Sequence, residues 1–256
     1  MLDIGSTIAG WQIVRELHQG SMAVTFEVRR PDLDGRYALK LMYLRDPSFQ
    51  ERLRHVGEAQ KGLSHPHLID VVDVIDFEGA PGIVSRYVEG TDLSTWAAAE
   101  QRPLPQVIEV FRQLVDGLVT AHERGLIHRN LKPQKVLIDA NGVPHLHDFM
   151  LGKTLSAESK VAVTQMGTTF GTPQYMSPEQ FRGAADVDAR TDLFSLGSLL
   201  FELVTGRRAF DGKGLMDIYK QVSASDYPAP SSLRPDVPPE LDALVANLLA
   251  VERDDR

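Results

Sequence analysis

The chain has 256 residues, a formal net charge of -8 and no cysteine. An acidic chain without a block of Lys and Arg lacks the means to bind nucleic-acid phosphates. The absence of cysteine excludes a disulfide framework, a cysteine-ligated metal and a cysteine nucleophile, and it fits a reducing cytoplasm. The longest apolar run, residues 193–204, is shorter than the roughly 20 residues that span a bilayer. We therefore expect a cytoplasmic domain with no nucleic-acid partner and no membrane segment in this chain.

The first third of the chain is predicted to be rich in strands. Residues 24–28 alternate apolar and polar side chains, which is the period of a strand with one buried face. Further strands are predicted at residues 37–42, 68–77 and 83–88, and a helix is predicted at residues 49–63.

From residue 91 onward the pattern is helical. Apolar side chains repeat at helical spacing from Val107 to Leu118, and Gly125 is a plausible stop. Residues 193–204 are apolar nearly all round, which predicts a helix buried on every side and ended by Gly206. Short strands are predicted around residues 136–138 and 145–147. The sequence thus predicts an α+β fold in which residues 1–89 and residues 90–256 form unequal lobes with a cleft between them.

Five stretches in chain order carry a more specific signal. They are a degraded glycine-rich loop at 17–26, Ala38-Leu39-Lys40, His128-Arg129-Asn130-Leu131-Lys132-Pro133-Gln134-Lys135, Asp148-Phe149-Met150 and Ser177-Pro178-Glu179. Together they resemble the signature set of protein kinases, and residues 171–179 with 192–197 are similar to bacterial Ser/Thr kinases in particular. The resemblance implies a bilobal kinase-like fold, with a small β-rich N-lobe (1–89) and a large helical C-lobe (90–256). It also implies a buried Glu179–Arg256 ion pair, with the chain stopping before the family's usual last helix.

The same resemblance implies a nucleotide site. Ala38 and Lys40 share one face of their strand, and in the family this alanine touches adenine while the lysine reaches the α- and β-phosphates. A surface lysine with its ammonium in water is the alternative for Lys40. The remaining residues implied to bind nucleotide are Leu17, Gly20, Thr25, Tyr87, Val88 and Leu137.

Several positions depart from the family pattern. Only Gly20 remains of the loop glycines, since His18 and Ala23 stand at the other two positions, so the grip on the γ-phosphate is expected to be weakened. The glutamate that normally pairs with the strand lysine is also displaced. The family spacing reaches Val56, while Glu58 lies two residues later on another face of the helix. We expect the ion pair to be absent.

The catalytic loop departs most. Asn130 replaces the aspartate that orients the substrate hydroxyl, and an amide is a very poor base. Lys135 replaces an asparagine that ligates magnesium, and an ammonium group repels a cation. Lys132, typical of the Ser/Thr branch, is retained.

Asp148 matches the family's other metal-ligating aspartate, and two readings stay open. Asp148 ligates a metal, or Lys135 pairs with it and takes the place of the metal charge, which allows nucleotide binding without Mg²⁺ or fills an empty site. Met150 replaces a glycine and is expected to restrict the backbone. Arg129 would meet a phosphorylated activation segment, with Thr164, Thr168 and Thr169 as candidate acceptors, although a flexible Ser/Thr-rich loop is the more economical interpretation.

Three hypotheses follow. The first is a pseudokinase that binds nucleotide or scaffolds other proteins of a signalling pathway, with ATP as ligand and a weakened Mg²⁺ site. The second is an active Ser/Thr kinase of low rate, because phosphoryl transfer depends mostly on positioning and charge. The third is an interaction module whose cleft binds no nucleotide. A zinc site built on His128, His145 and His147 is disfavoured because their spacing matches no ligand pattern.

Overall fold

The computed structural model describes residues 2–44, 46–149, 172–183 and 187–256. Its first part is a six-stranded antiparallel sheet in the order β1-β2-β3-β4-β6-β5. The strands are β1 (Thr7–Ile8), β2 (Trp11–Gln19), β3 (Ala23–Arg29), β4 (Tyr37–Met42), β5 (Val71–Phe77) and β6 (Ala80–Arg86). The predicted strand 37–42 is confirmed at both ends. The predicted strand 68–77 is shortened because residues 68–70 precede β5, and the predicted strand 83–88 is displaced, since β6 begins three residues earlier and ends two residues earlier.

The one helix of this part, α1 (Pro47–Gln60), packs against β5 and β6. Asp46 caps its N-terminus by accepting the Phe49 N–H at 2.8 Å, and Pro47 occupies the first turn, where no intrahelical donor is needed. The helix therefore begins two residues earlier than predicted and ends three residues earlier. Gly57 faces the sheet so closely that a Cβ would lie 2.5 Å from Ile83 Cδ1.

The predicted one-sided burial of β3 is wrong at Glu27. This residue is buried together with its neighbours Phe26 and Val28. Burial of the carboxylate is offset by two guanidinium groups, because Arg15 Nε and Arg36 Nε each lie 2.8 Å from a Glu27 oxygen. Hydrogen bonds from Arg36, together with those from Arg15, lower the Glu27 pKa despite burial. A polar residue in an alternating pattern can thus be internal when arginines on adjacent segments reach it.

The second part contains a three-stranded sheet and a set of helices. The strands β7 (Gly90–Asp92), β8 (Val136–Asp139) and β9 (Pro144–Leu146) pair in that order. The helices are α2 (Leu93–Ala99), α3 (Leu104–Glu123), α4 (Pro178–Phe181), α5 (Arg190–Thr205), α6 (Leu215–Ala224), α7 (Pro230–Leu233) and α8 (Pro239–Leu248), with 3₁₀ turns at Pro133–Lys135, Pro173–Tyr175 and Arg253–Asp255.

Helix α5 is the centre of this part. Phe194, Leu199 and Phe201 are fully buried, and the helix ends at Gly206 in the left-handed conformation, as the sequence predicts. Gly197 admits α8, since a Cβ there would lie 2.7 Å from Leu248 Cβ. None of the helices within the described ranges is long and apolar enough to cross a membrane.

Candidate active site

The loop between α3 and β8 is held in place by one buried carboxylate at the start of helix α5. Asp192, in the first turn of α5 and fully buried, accepts the backbone N–H groups of His128 at 2.8 Å and Arg129 at 2.7 Å. His122 Nε2 lies 2.8 Å from the same carboxylate. Arg129 adopts a left-handed backbone with φ of 60°, a conformation that non-glycine residues hold mainly at functional sites. Asp192 therefore holds the loop in a shape that the backbone alone disfavours.

His128 is a packed residue of this loop. Burial lowers its pKa to about 4, so the ring is neutral at pH 7. Its Nδ1 lies 3.3 Å from the Asn130 N–H and accepts that bond, which leaves Nε2–H to donate to the His147 carbonyl at 2.9 Å. The ring thus ties the catalytic loop to the segment that carries Asp148, and it has no free nitrogen for a metal.

Asn130 and Lys132, two further polar residues of the loop, differ in their hydrogen bonds. The Asn130 side chain is partly buried and makes no hydrogen bond to another residue in the described ranges. Lys132 donates from Nζ to Thr172 Oγ1 at 2.8 Å, which joins the loop to the segment before Pro173. Burial lowers the pKa of Lys132, and the nearby charge of Lys135 lowers it further.

The strongest electrostatic feature is a three-membered ion cluster. Lys135, at the end of a 3₁₀ turn, lies with Nζ 2.5 Å from Asp148 Oδ2, and Lys40 of β4 lies with Nζ 2.6 Å from the same oxygen. All three side chains are largely buried. Burial by itself raises the pKa of Asp148, but the charges of Lys135 and Lys40 outweigh it, so this pKa lies well below its usual value. Asp148 is therefore a carboxylate at all ordinary pH values.

Helix α1 does not supply a second carboxylate to Lys40. Val56 is packed between the core of the sheet and the core of the helical part. Glu58 is half-exposed and lies 3.4 Å from Lys61 Nζ, on the outer side of the helix. Within the described residues, the carboxylate that meets Lys40 is that of Asp148, which agrees with the expected absence of a strand–helix ion pair.

The residues predicted to bind nucleotide come from the six-stranded sheet and its first hairpin, from the segment after that sheet and from β8 of the second part. Thr25 lies opposite Lys40 across β3 and β4, and Ala38 lies two residues before Lys40, so the three side chains share a face. The glycine-poor loop is a tight hairpin closed by the Gly20 N–H, which donates to the Ala23 carbonyl at 2.9 Å. All eight predicted positions are partly buried, as expected for the wall of a cleft: Leu17, Gly20, Thr25, Ala38, Lys40, Tyr87, Val88 and Leu137.

The segment between the two parts is fastened by Arg36. Its guanidinium stacks 4.1 Å from the centre of the Tyr87 ring, and its carbonyl accepts the Tyr87 N–H at 3.0 Å. Arg36 also pairs with Glu89 at 3.0 Å. The neighbouring Val88 N–H meets no acceptor among the residues described, so it is available to a ligand in the cleft.

The comparisons with known proteins assign this arrangement to a family. The model of the protein kinase domain matches residues 11–256. This chain belongs to the protein kinase family. The predicted kinase fold, with a β-sheet N-lobe and a helical C-lobe, is confirmed by the kinase domain of PknI from Mycobacterium tuberculosis. That crystal structure matches with a TM-score of 0.79 at 28% identity, over 100% of this chain and 94% of the PknI chain.

Curated relatives of this kinase domain are bacterial Ser/Thr kinases. It is 34% identical over 94% of its length to the probable serine/threonine-protein kinase SCO3848 of Streptomyces coelicolor. It is 33% identical over 98% of its length to the probable serine/threonine-protein kinase PknB of Lactococcus lactis. The chain spans 37% and 40% of those two relatives. A Ser/Thr protein-kinase-like domain is thereby supported.

The family generally binds ATP with Mg²⁺, and the residues of this kinase domain fit the two ligands unequally. A magnesium ion takes oxygen ligands such as carboxylates and amides. Here Asp148 Oδ2 already contacts two ammonium groups, and Lys135 stands where the family has the second ligand. In the described ranges, no group of three His, Asp or Glu side chains is placed to hold a metal. The charge and the donor set do not fit a divalent cation.

Two residues of this kinase domain were not singled out as site residues by the sequence. His147 precedes Asp148, its Nδ1 lies 3.5 Å from Asp148 Oδ2, and its buried Nε2 has no partner in the part of the chain described. Arg36 fastens Tyr87 from a turn that no motif marks. The sequence raised His147 only as a zinc ligand and Arg36 not at all, because their contacts with Asp148 and Tyr87 are evident only in the fold.

The implied ion pair at the base of the large lobe is formed, whereas part of the implied activation segment lies outside the described residues. Arg256 Nη2 lies 2.8 Å from Glu179 Oε2 and both side chains are buried, as the resemblance implies. The Arg129 guanidinium donates to the Val187 carbonyl at 2.9 Å. Met150 and the candidate acceptors Thr164, Thr168 and Thr169 lie outside the described residues.

Proposed function

We propose that this kinase domain is a catalytically impaired Ser/Thr protein-kinase-like domain that binds nucleotide in its cleft and regulates or scaffolds other proteins of a phospho-signalling pathway. The observation that carries the proposal is the contact of Lys135 and Lys40 with one oxygen of Asp148. At this point the family places magnesium ligands, and here two positive charges meet the carboxylate instead.

The chemistry of Asn130 supports the same conclusion. In the family, an aspartate at this position accepts or orients the proton of the attacking hydroxyl. The Asn130 amide has no negative charge and no basic lone pair on nitrogen. General base catalysis contributes roughly 10²- to 10⁴-fold to a typical enzymatic rate, and this share is absent.

Nucleotide binding is retained in the proposal because the strand residues that the family places against adenine and the α- and β-phosphates are present, although the glycine-rich loop is degraded. Lys40 and Ala38 share one face of β4, and the family places this alanine against adenine and this lysine against the phosphates. The Val88 N–H, which meets no acceptor among the described residues, can donate to a ring nitrogen. A cytoplasmic location is part of the proposal, since a chain with no cysteine fits a reducing compartment.

Phosphate transfer from γ-labelled ATP, to the chain itself and to a generic basic protein, tests the proposal. The assay is run with Mg²⁺ and with Mn²⁺, beside a Lys40→Met variant that lacks the phosphate-binding ammonium. We expect no incorporation above this variant. Incorporation that disappears in Lys40→Met contradicts the proposal.

An active kinase of low rate is the second candidate, and a specific observation favours it. The Asp192 contacts to the catalytic loop and the Lys132–Thr172 hydrogen bond are both formed, so the scaffold of the reaction is in place. This candidate predicts slow incorporation in the same assay. The third candidate, a cleft without nucleotide, predicts no rise in melting temperature with ATP, whereas a ligand at 100 times its Kd stabilises a protein by about 2.7 kcal/mol.

A further inference from the structure

The phosphate side of the cleft carries more positive than negative charge. Lys40 and Lys135 share the single carboxylate of Asp148, at 2.6 Å and 2.5 Å. Lys132 is partly buried in the same catalytic loop and bonds a neutral hydroxyl, that of Thr172. Among the residues that the structure describes here, three ammonium groups are therefore accompanied by one carboxylate. A chain with a net charge of -8 thus concentrates positive charge at this place.

Such a surplus is suited to an anion that arrives without its own cation. In a magnesium-dependent site, protein carboxylates and amides hold the metal, and the metal holds the phosphates. Here Lys135 replaces the amide, and an ammonium beside Asp148 repels Mg²⁺ while it attracts phosphate oxygens. Lys135 accordingly supplies part of the charge that the metal would bring.

We infer that the cleft binds nucleoside di- or triphosphate in its metal-free form, with the Lys135 ammonium replacing a divalent cation as the counter-charge for the phosphates. This inference rests on the proposed nucleotide-binding function and specifies its ligand. In the nucleotide-free protein, Asp148 neutralises Lys135 and Lys40. Phosphate oxygens of a bound nucleotide compete with Asp148 for the same two ammonium groups.

His147 gives independent support for a ligand at this place. Its Nε2 is buried without a partner in the described ranges, although its Nδ1 faces Asp148 at 3.5 Å. A buried polar atom without a partner costs free energy, and such atoms are often satisfied by a bound molecule.

The competing interpretation is a self-filled cleft. In that case the Lys135–Asp148–Lys40 cluster is stable enough to keep phosphates out, and the domain binds no nucleotide under any condition. The two interpretations differ in a single observable, which is the affinity for ATP or ADP in the absence of divalent cations.

Isothermal titration of ATP and of ADP, in EDTA and in excess Mg²⁺, measures this affinity. For the wild type we expect binding in EDTA that is equal to, or up to about tenfold tighter than, binding in Mg²⁺, because the metal neutralises the phosphates that Lys135 attracts. Lys135→Met removes the charge but keeps the length of the side chain, and it should weaken binding in EDTA by about tenfold or more.

Lys135→Asn is the informative variant, because it removes the ammonium and adds an oxygen ligand. We expect this variant to bind ATP about tenfold more tightly with Mg²⁺ than in EDTA, which reverses the wild-type preference. Lys220→Met on the exposed face of α6 is the matched control, since it removes the same charge from a helix outside the catalytic loop and should leave both affinities unchanged. Thermal unfolding without nucleotide verifies that each variant is folded.

Wild-type binding that requires Mg²⁺, or no binding in EDTA, overturns the inference. Failure of the proposed function has a different signature, since that function fails if the wild type transfers phosphate above Lys40→Met. A wild type that binds only magnesium nucleotide and transfers nothing would overturn the metal-free inference and leave the proposed function standing.

Discussion

Two regions around the catalytic loop differ in how closely they keep the family pattern: the scaffold that holds the loop, and the phosphate-facing cluster of Lys40, Lys135 and Asp148. Beneath the loop, Asp192 accepts two backbone N–H groups, and Arg256 pairs with Glu179 in full burial, as in the family pattern. Above the loop, Asn130 and Lys135 depart from that pattern. The comparison teaches that the residues which hold the fold are separable from those which carry the reaction, so the fold alone does not establish catalysis.

The largest effect is expected where the scaffold is broken. Glu179→Ala leaves the fully buried guanidinium of Arg256 without its carboxylate, and uncompensated buried charges typically cost about 3–5 kcal/mol. Urea unfolding should show this loss in the free energy of unfolding. Glu51→Ala, on the exposed face of α1, is the matched control and should change the stability little. Equal stability of the two variants would contradict a structural role for the ion pair.

A smaller loss in the free energy of unfolding is expected when the phosphate-facing cluster is changed. Asp148→Asn leaves the ammonium groups of Lys40 and Lys135 facing an uncharged amide, and loss of a partner to a buried charged group costs about 2–3 kcal/mol. Lys135→Met should cost less, because Asp148 keeps Lys40. If Lys135→Met destabilises the domain as strongly as Asp148→Asn, the two lysines do not share one carboxylate in solution.

The pH dependence of stability tests the contact between the two regions, because the His128 ring joins the catalytic loop to the segment that carries Asp148. Burial lowers the pKa of His128 to about 4, below the 6.5 of an unfolded histidine, so the unfolded chain binds more protons between these values. The stability that His128 contributes is therefore present above pH 6.5 and lost as the pH falls towards 4, by up to about 3 kcal/mol.

Chemical unfolding of the wild type and of His128→Gln, measured from pH 7 to pH 4, examines this expectation. The free energy of unfolding should fall more steeply in the wild type than in the variant, which has no ring to protonate. Parallel curves would mean that His128 titrates alike in the folded and unfolded states.

The sequence could predict the strands and helices whose pattern is local. The strand at residues 37–42 and the buried helix ended by Gly206 follow from apolar spacing and a glycine, and both are confirmed. The pairing of Lys135 with Asp148 could be foreseen because both lie in family motifs, 13 residues apart along the chain. Burial of Glu27 could not, because it depends on Arg15 and Arg36, which only the folded sheet brings to it.

The rest of the candidate site depends on contacts between distant segments. Lys40 and Asp148 are 108 residues apart, so their 2.6 Å contact exists only once the N-lobe and the segment after β9 are placed together. The same holds for the Arg36–Tyr87 stack and for the unpartnered His147 nitrogen. The motifs predicted candidate site residues, and the fold shows which of them lie in contact.

The smallest effect is expected at Glu58. Because this residue pairs with Lys61 on the outer side of α1, Glu58→Gln should leave nucleotide affinity unchanged. Isothermal titration of ATP against the variant and the wild type measures it. A tenfold weaker affinity would indicate that α1 turns in solution and brings Glu58 to Lys40 when nucleotide binds.

The most direct test of the central claim is to restore the two changed groups on the unchanged scaffold. Phosphate transfer from γ-labelled ATP is compared in the wild type, in Lys40→Met and in the double variant Asn130→Asp with Lys135→Asn. We predict that the wild type equals Lys40→Met, and that the double variant exceeds both by about 100-fold or more, since it regains a base and a metal ligand. A folded double variant that transfers no more phosphate than Lys40→Met would contradict the claim that Asn130 and Lys135 are the changes that impair transfer on a competent scaffold.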